Sequence, residues 1–279
     1  MNRRNAIKLA VGASAAGVAG VVTLTTAFKP KKTAAVEPKK IELGESASQW
    51  KYAQLNPAAS ADVAYSNYKI GSCMYGVSSS IISQLAEKIG EPYASFPIHM
   101  MKYGHGGIGG AGTVCGTLNG AAAVIGLLIE EKQIRDVLIA ELFHWYETTL
   151  FPSFKPQEAV YDYAPPKSIS KSVLCHASTT RWGKLAGFRI DSNERKERCR
   201  RLTADVAAKT VEILNEYFHH GYTTVHQNNE TVNECMACHG SKGKLANTTG
   251  KMTCTSCHDK TVGHKLFGDV HYKYMDKRK

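Results

Sequence analysis

The chain has 279 residues, a formal net charge of +11 and eight cysteines. That length suffices for one large or two modest domains, and most of the basic excess has a local explanation that does not involve nucleic acid. Arg3, Arg4 and Lys8 open the chain, and residues 29–40 hold five lysines against Glu37 alone. After Phe218, nine Lys and Arg face five Asp and Glu, an excess that the propionates of bound haem would neutralise. No nucleic-acid-binding motif accompanies the charge.

Residues 1–28 read as an export signal. A basic start is followed by an apolar stretch from Leu9 to Phe28 that is diluted by Ala, Gly and Thr. That pattern describes a segment that is cleaved rather than a span, which needs about 20 strongly apolar residues. Arg3-Arg4 followed by Ile7-Lys8 resembles a twin-arginine signal, although Ala6 stands where a bulky apolar residue is usual. Residues 29–58 form a basic tether rich in Lys, Pro and Ala that cannot bury a core and could touch an anionic membrane surface.

Residues 59–218 are predicted to be helical throughout. Apolar residues fall at helical spacing over 59–69 and 74–89, with Val77, Ile81, Ile82 and Leu85 on one face of the second segment. A glycine-rich stretch, 103–112, precedes a predicted helix over 113–131. It lacks the preceding strand and the Gly-Lys-Ser/Thr of a nucleotide site, so Gly116, Gly120 and Gly126 are read as a smooth surface for a neighbouring helix. Further helices are expected over 133–151, 172–185 and 193–218, the last with Cys199, Leu202, Val206, Val211 and Leu214 as its apolar stripe. Strand signals are scarce. The class is all-α, a helical module followed by a loop-rich C-terminal dihaem segment over 219–279.

That last segment carries the most specific signal. Cys235-Met236-Ala237-Cys238-His239 and Cys254-Thr255-Ser256-Cys257-His258 lie 19 positions apart. Each is the attachment motif of c-type haem, in which two thiols add to the vinyl groups and the adjacent imidazole reaches the iron. Zinc could use the four cysteines but would not need a His after each pair. Cys235, Cys238, Cys254 and Cys257 are therefore assigned to two haems, with His239 and His258 as proximal ligands. Such haem attachment occurs outside the cytoplasmic membrane, which agrees with an export signal and a periplasmic location. Seven of the eleven histidines follow Phe218, and His226, His264, His271 and His220 are the distal candidates. His264 follows His258 by six positions, about 20 Å at full stretch, so it suits the other haem or a partner subunit. His99, His105, His144 and His176 are upstream alternatives, and Met236, Met252 and Met275 are weaker donors. Cys254 follows His239 by only 15 positions, which holds the two irons close together. So short a segment buries two macrocycles poorly by itself, so it is expected to pack on the helical module, a second subunit, or both.

Cys73, Cys115, Cys175 and Cys199 remain, none in a C-x-x-C pair and each on or at the start of a different predicted helix. Disulfides, a metal or iron–sulfur site, or a redox-active dithiol are all open on the residues alone.

Cys73, then Cys115-Gly116-Thr117-Leu118-Asn119-Gly120, then Cys175 and Cys199 resemble the C-GCAxxG-C-C family of redox proteins, with Thr117 read at the family's Ala. That module followed by two C-x-x-C-H motifs behind an export signal resembles the split-Soret cytochrome c family. The resemblance covers roughly residues 60–279. It implies a homodimer with two closely stacked bis-histidine haems per subunit, some ligands coming from the partner. It also implies an iron–sulfur cluster far from the haems, with Cys73, Cys115, Cys175 and Cys199 as ligand candidates. The expected function is one-electron transfer between redox protein partners. The alternatives are a small-molecule reductase or peroxidase with one open haem iron, or a dithiol redox sensor.

Overall fold

The structure, a computed structural model, describes residues 50–222 and 230–258. The export signal, most of the tether, and His226, His264, His271 and Met275 lie outside the described residues. Among those described, no helix is long and apolar enough to cross a membrane.

Helix α1 runs from Pro57 to Ile89. Asn56 caps it by accepting from the amides of Ala58 and Ala59, and Pro57 fits the first turn, where no intrahelical donor is needed. The helix is broken at Gly71 (φ −151°, ψ 17°) and Ser72 (φ 65°, ψ −156°) and restarts at Cys73. This is the gap between the two apolar stretches read from the sequence. Gly90 ends the helix with positive φ. A 3₁₀ segment, Ile98–Gly104, leads through the glycine-rich loop to α2, Gly116–Leu128. Next come α3, Lys132–Thr148, and a two-residue antiparallel pair of β1, Leu150–Phe151, with β2, Ser168–Ile169. Helix α4 covers Cys175–Ala186 and stops at a left-handed Gly187. Helix α5 covers Asn193–Asn215, capped by the Ser192 hydroxyl on the Arg195 amide, and runs into a π turn, Glu216–His220. Helix α6, Glu230–His239, and a 3₁₀ turn, Cys254–Ser256, carry the two haem motifs. The all-α reading holds.

The core forms where α1, α2, α3 and α5 meet. Val77, Ile81 and Leu85 of α1 face Leu118 and Ile125 of α2, Leu138 and Leu142 of α3, and Leu202, Val206 and Val211 of α5. Each fully buried aliphatic side chain contributes about 1.5–3 kcal/mol. Two glycines set the helix approaches. A Cβ at Gly76 would stand 2.7 Å from the Thr203 methyl, and one at Gly120 would stand 2.6 Å from the Met74 carbonyl oxygen. The smooth-surface reading is met at Gly116 and Gly120. At Gly126 a Cβ would meet only Arg135, at an ordinary 3.8 Å.

Buried Glu197 ties α5 to α1, accepting from Tyr65 Oη at 2.7 Å and from the Arg200 and Arg201 guanidiniums beside it. Helices α2 and α4 start later than predicted, at residues 116 and 175 rather than 113 and 172. The intervening residues pair with each other instead, in an isolated antiparallel bridge between Val114 and Leu174.

The backbone of Ser72 occupies a region almost confined to glycine, at a cost of about 1–3 kcal/mol. Replacing Ser72 by Gly removes that strain and returns about 0.4–1 kcal/mol to unfolded-chain entropy. A thermal melt of S72G should therefore show a higher midpoint; a lower one would contradict the strain.

Candidate redox centres

Four segments that are remote in sequence bring the cysteines together. Cys73 opens the second half of α1 after the break, and faces Tyr68 and Cys199. Cys115 is the N-cap of α2 and Cys175 the first residue of α4. The Val114–Leu174 bridge sets those two helix starts side by side: the Cys115 amide donates to the Val173 carbonyl at 2.8 Å, and the Cys175 amide to the Thr113 carbonyl at 2.7 Å. Gly116 is required here, because a Cβ would collide with the Gly104 carbonyl oxygen at 2.0 Å. With Cys115 fixing the register of the family pattern, Gly116, and not Thr117, stands at the alanine position.

Cys73, Cys115 and Cys199 are buried, Cys175 is half-buried, and none of the eight cysteines is in a disulfide. Burial pushes the Cys73 thiol well up, and the charges of Cys199, Cys115 and Cys175 push it further. Cys175 is raised to about 12, first by burial and then by Cys115 and Cys199. The four sulfurs therefore share one electrostatic environment. Among the described residues, no three His, Cys, Asp or Glu side chains are gathered closely enough to hold a single metal ion as they stand.

Positive charge surrounds these thiols. Arg198 is 1% exposed. Its Nη1 lies 3.8 Å from Cys199 Sγ, and its Nη2 donates to Ser178 Oγ at 2.9 Å. That hydroxyl also accepts from Tyr146 at 3.1 Å. Nε of Arg198 has no partner, and among the described residues no carboxylate forms an ion pair with this guanidinium. An unpaired buried cation costs several kcal/mol, so the arrangement calls for an anion at the thiols. Arg195, also close to Cys199 and Cys73, adds a second positive charge. The starts of α2 and α4 add partial positive charge.

The haem motifs lie in two different local structures. The first closes α6. His239 Nδ1 donates to Asn247 Oδ1 at 2.9 Å, while the amides of Asn247 and Thr248 donate to the His239 carbonyl at 3.0 and 2.9 Å. That leaves Nε2 free of a proton and available to an iron. The second motif forms the 3₁₀ turn, with the Cys257 and His258 amides both donating to the Cys254 carbonyl at 3.1 and 2.9 Å. The Cys254 thiol is raised by burial first and then by Cys235, to which it hydrogen-bonds. The two attachment sites thus touch through their first cysteines, as their short spacing predicts.

The second motif is anchored on the helical module. Buried Glu147 of α3 accepts from the Thr253 amide at 3.2 Å and from Thr253 Oγ1 at 3.0 Å, and burial raises its carboxyl above the usual range. Ser256 Oγ donates to the Lys171 carbonyl. A cavity of about 370 Å³ opens beside this contact, lined by Phe143, His144, Glu147, Met252 and Thr253. Of the distal candidates, His220 is exposed at the end of the π turn. His99, His105 and His176 are exposed, His176 being tied through Nδ1 to the Gly112 carbonyl at 2.9 Å. Half-buried His144 alone among the described upstream histidines stands beside a haem motif. Arg198, Glu147, Thr253, Asn247 and Lys171 were not marked by the sequence. The one available signal was a charged Arg198 directly beside a stripe cysteine.

The chain matches the C_GCAxxG_C_C redox-active protein family over residues 75–213. It is 40% identical over 220 residues to the split-Soret cytochrome c of Desulfovibrio desulfuricans, an alignment spanning 76% of this chain and 78% of the relative. The solved structure of split-Soret cytochrome c from that organism, described as holding a novel iron centre, superposes with a TM-score of 0.71 at 38% identity, covering 78% of this chain and 94% of that one. The chain belongs to the split-Soret cytochrome c family, and so to the electron-transferring c-type cytochromes.

Proposed function

We propose that this is a periplasmic, homodimeric dihaem cytochrome with an iron–sulfur cluster on Cys73, Cys115, Cys175 and Cys199, passing electrons one at a time between redox protein partners. The observation that carries the cluster is Arg198, a buried guanidinium against Cys199 whose charge also reaches Cys115 and Cys175, with no carboxylate ion-paired to it among the described residues. Thiolates are the ligands iron–sulfur clusters use, and a thiolate-bound cluster is an anion. The relative's iron centre agrees with that donor set.

The bound haems and cluster would supply the one-electron changes of oxidation state. The protein's own groups do the rest. Four thiols hold the centre, and the raised proton affinity of Cys73 and Cys175 means that metal uptake releases protons and is favoured as pH rises. Arg198 and the two helix starts balance its charge. Asn247 fixes the tautomer and plane of His239, and Glu147 clamps the second motif. Export is supported by the Arg3-Arg4 segment and by the compartment in which haem is attached. The dimer is supported by the shortness of the segment that must cover two macrocycles. A Kd-independent mass from light scattering equal to one chain, with both haems present, would sink it.

Two outcomes test the residue roles. Exchange of Arg198 for Met removes a charge and leaves the volume, so the iron-free protein should be as stable or more stable by about 1–4 kcal/mol. Non-haem iron and acid-labile sulfide should fall while haem content holds, and R198K should restore them in part. Full iron in R198M at an unchanged potential would contradict the counter-charge. In N247L the proximal His239 loses its acceptor and becomes a weaker donor to ferric iron, an exchange that typically weakens a metal site about 10–100-fold. A redox titration should show one haem moving to higher potential and the other unmoved; two unchanged potentials would contradict the role of Asn247.

A further inference from the structure

The break in α1 and the glycine-rich loop leave one apolar surface uncovered. Ile70, just before the break, Met100 and Tyr103 of the 3₁₀ segment, and Ile108 of the loop are each between 47% and 55% exposed. Single exposed apolar side chains are ordinary, but an adjoining group marks an interaction site, and these four adjoin. Met100 and Tyr103 are three positions apart, which in a 3₁₀ helix stacks them on one edge. The Gly109 amide donates to the Tyr103 carbonyl at 2.8 Å, which lays Ile108 alongside. Lys102 lies against the break, its Cγ 2.9 Å from where a Gly71 Cβ would stand, and so joins the 3₁₀ segment to Ile70.

The stretches that build this surface carry positive charge only. Residues 63–86 and 92–129 hold Lys69 and Lys102 and no Asp or Glu. Both lysines are exposed, and among the described residues neither is ion-paired. The platform is also firm. Thr113 Oγ1 accepts from the Ile108 amide at 3.1 Å, the Gly112 amide donates to the Gly106 carbonyl at 2.9 Å, and the Lys102 ammonium lies over the Tyr75 ring at 5.6 Å. A preformed surface loses little freedom on binding. Beneath it, a Cβ at Gly116 would meet both the Gly104 carbonyl and, at 3.0 Å, Cys73 Cβ. The patch-bearing segment therefore packs on Cys73 and on the start of the helix that Cys115 caps.

We propose that this face, with Met100, Tyr103 and Ile108 at its centre and Lys69 and Lys102 at its rim, docks a protein partner that presents an apolar patch ringed by Asp and Glu. This rests on the reading above that the chain works with redox protein partners, and adds where and by what chemistry one of them binds. Charge complementarity selects the occupant. An apolar centre beside two unopposed lysines fits an acidic face and repels a basic one. A second copy of this chain, docked on the same face about a two-fold axis, would set like charges together. An anionic lipid surface draws on denser basic clusters and on apolar groups that insert. Met and Tyr are enriched at the centres of protein interfaces, and a small patch suits a short-lived complex.

The test uses the full, haem-loaded protein and, as probe, a purified flavodoxin, a small acidic redox protein. Isothermal titration should show binding that weakens as salt is raised. K69E/K102E should lose about tenfold in affinity, and M100S/I108S severalfold with the salt dependence kept. K155E/K184E, whose lysines lie on other segments, should bind as the wild type does. Equal affinity in a K69E/K102E protein that melts as the wild type does, or no binding by the wild type, would overturn the face. So would self-association, or binding to phosphatidylglycerol vesicles, that the same charge reversals abolish, since the face would then belong to a second copy or to a membrane. Reduced flavodoxin separates this inference from the reading it rests on. Reduction of the Soret band at the wild-type rate in K69E/K102E would overturn the face and leave the electron-carrier reading standing. A probe that docks on this face without reducing the haems would overturn the carrier reading alone.

Discussion

A guanidinium buried without a carboxylate organises this molecule. Arg198 sits inside the helical module against Cys199, Ser178 and, through Ser178, Tyr146. Two and three residues along the same helix, Arg200 and Arg201 share Glu197 and are neutralised locally. Among the described residues Arg198 has no ion-pair partner; the Cys199 thiol lies against it, and the Asp205 carboxyl feels its charge from farther off. The rest of the architecture brings further thiols towards it. The break at Gly71 and Ser72 starts a new helical segment at Cys73, and the Val114–Leu174 bridge starts two more helices at Cys115 and Cys175. Three of the four thiols thus lie where helices begin and backbone dipoles favour negative charge. The fold gathers positive potential first, and the donor set lies within it.

The two haem motifs show how little local structure the attachment chemistry demands. One closes a helix and the other forms a 3₁₀ turn, yet both present two thiols and an imidazole at the same spacing. What differs is how each is held. The first is wrapped by its own following loop through Asn247, whereas the second is fastened to the helical module through Glu147 and Lys171. The first arrangement orients one histidine; the second fastens its turn to the helical module. Two motifs of the same sequence pattern are therefore held in two unlike ways.

The helices were legible because each has a buried face at helical spacing, and even the break in α1 appeared as a gap between two apolar stretches. The starts of α2 and α4 were placed three residues early, because residues 113–115 and 172–174 pair with each other across the fold, a contact that no local window contains. All eight cysteines could be singled out from spacing and resemblance. Their supporting residues could not. In a linear reading Arg198 belongs to a charged helix and faces solvent, and Glu147 is one more acid at the end of α3. Only the packing of α5 against α1 and α4, and of residues 250–256 against α3, turns those charges inward. Asn247 is hidden for a similar reason, since a loop amide carries no signal until the chain is seen to fold back on His239.

The central claim is that each chain carries a third redox centre besides its two haems, held by four thiols around Arg198. Coulometric titration of the purified protein, with the Soret band recorded at every step, tests it most directly. The account predicts about three electrons per chain, one of them taken up with no change in haem absorbance, since iron–sulfur clusters and haems titrate as separate one-electron centres. An uptake matched in full by the haem absorbance change would contradict it.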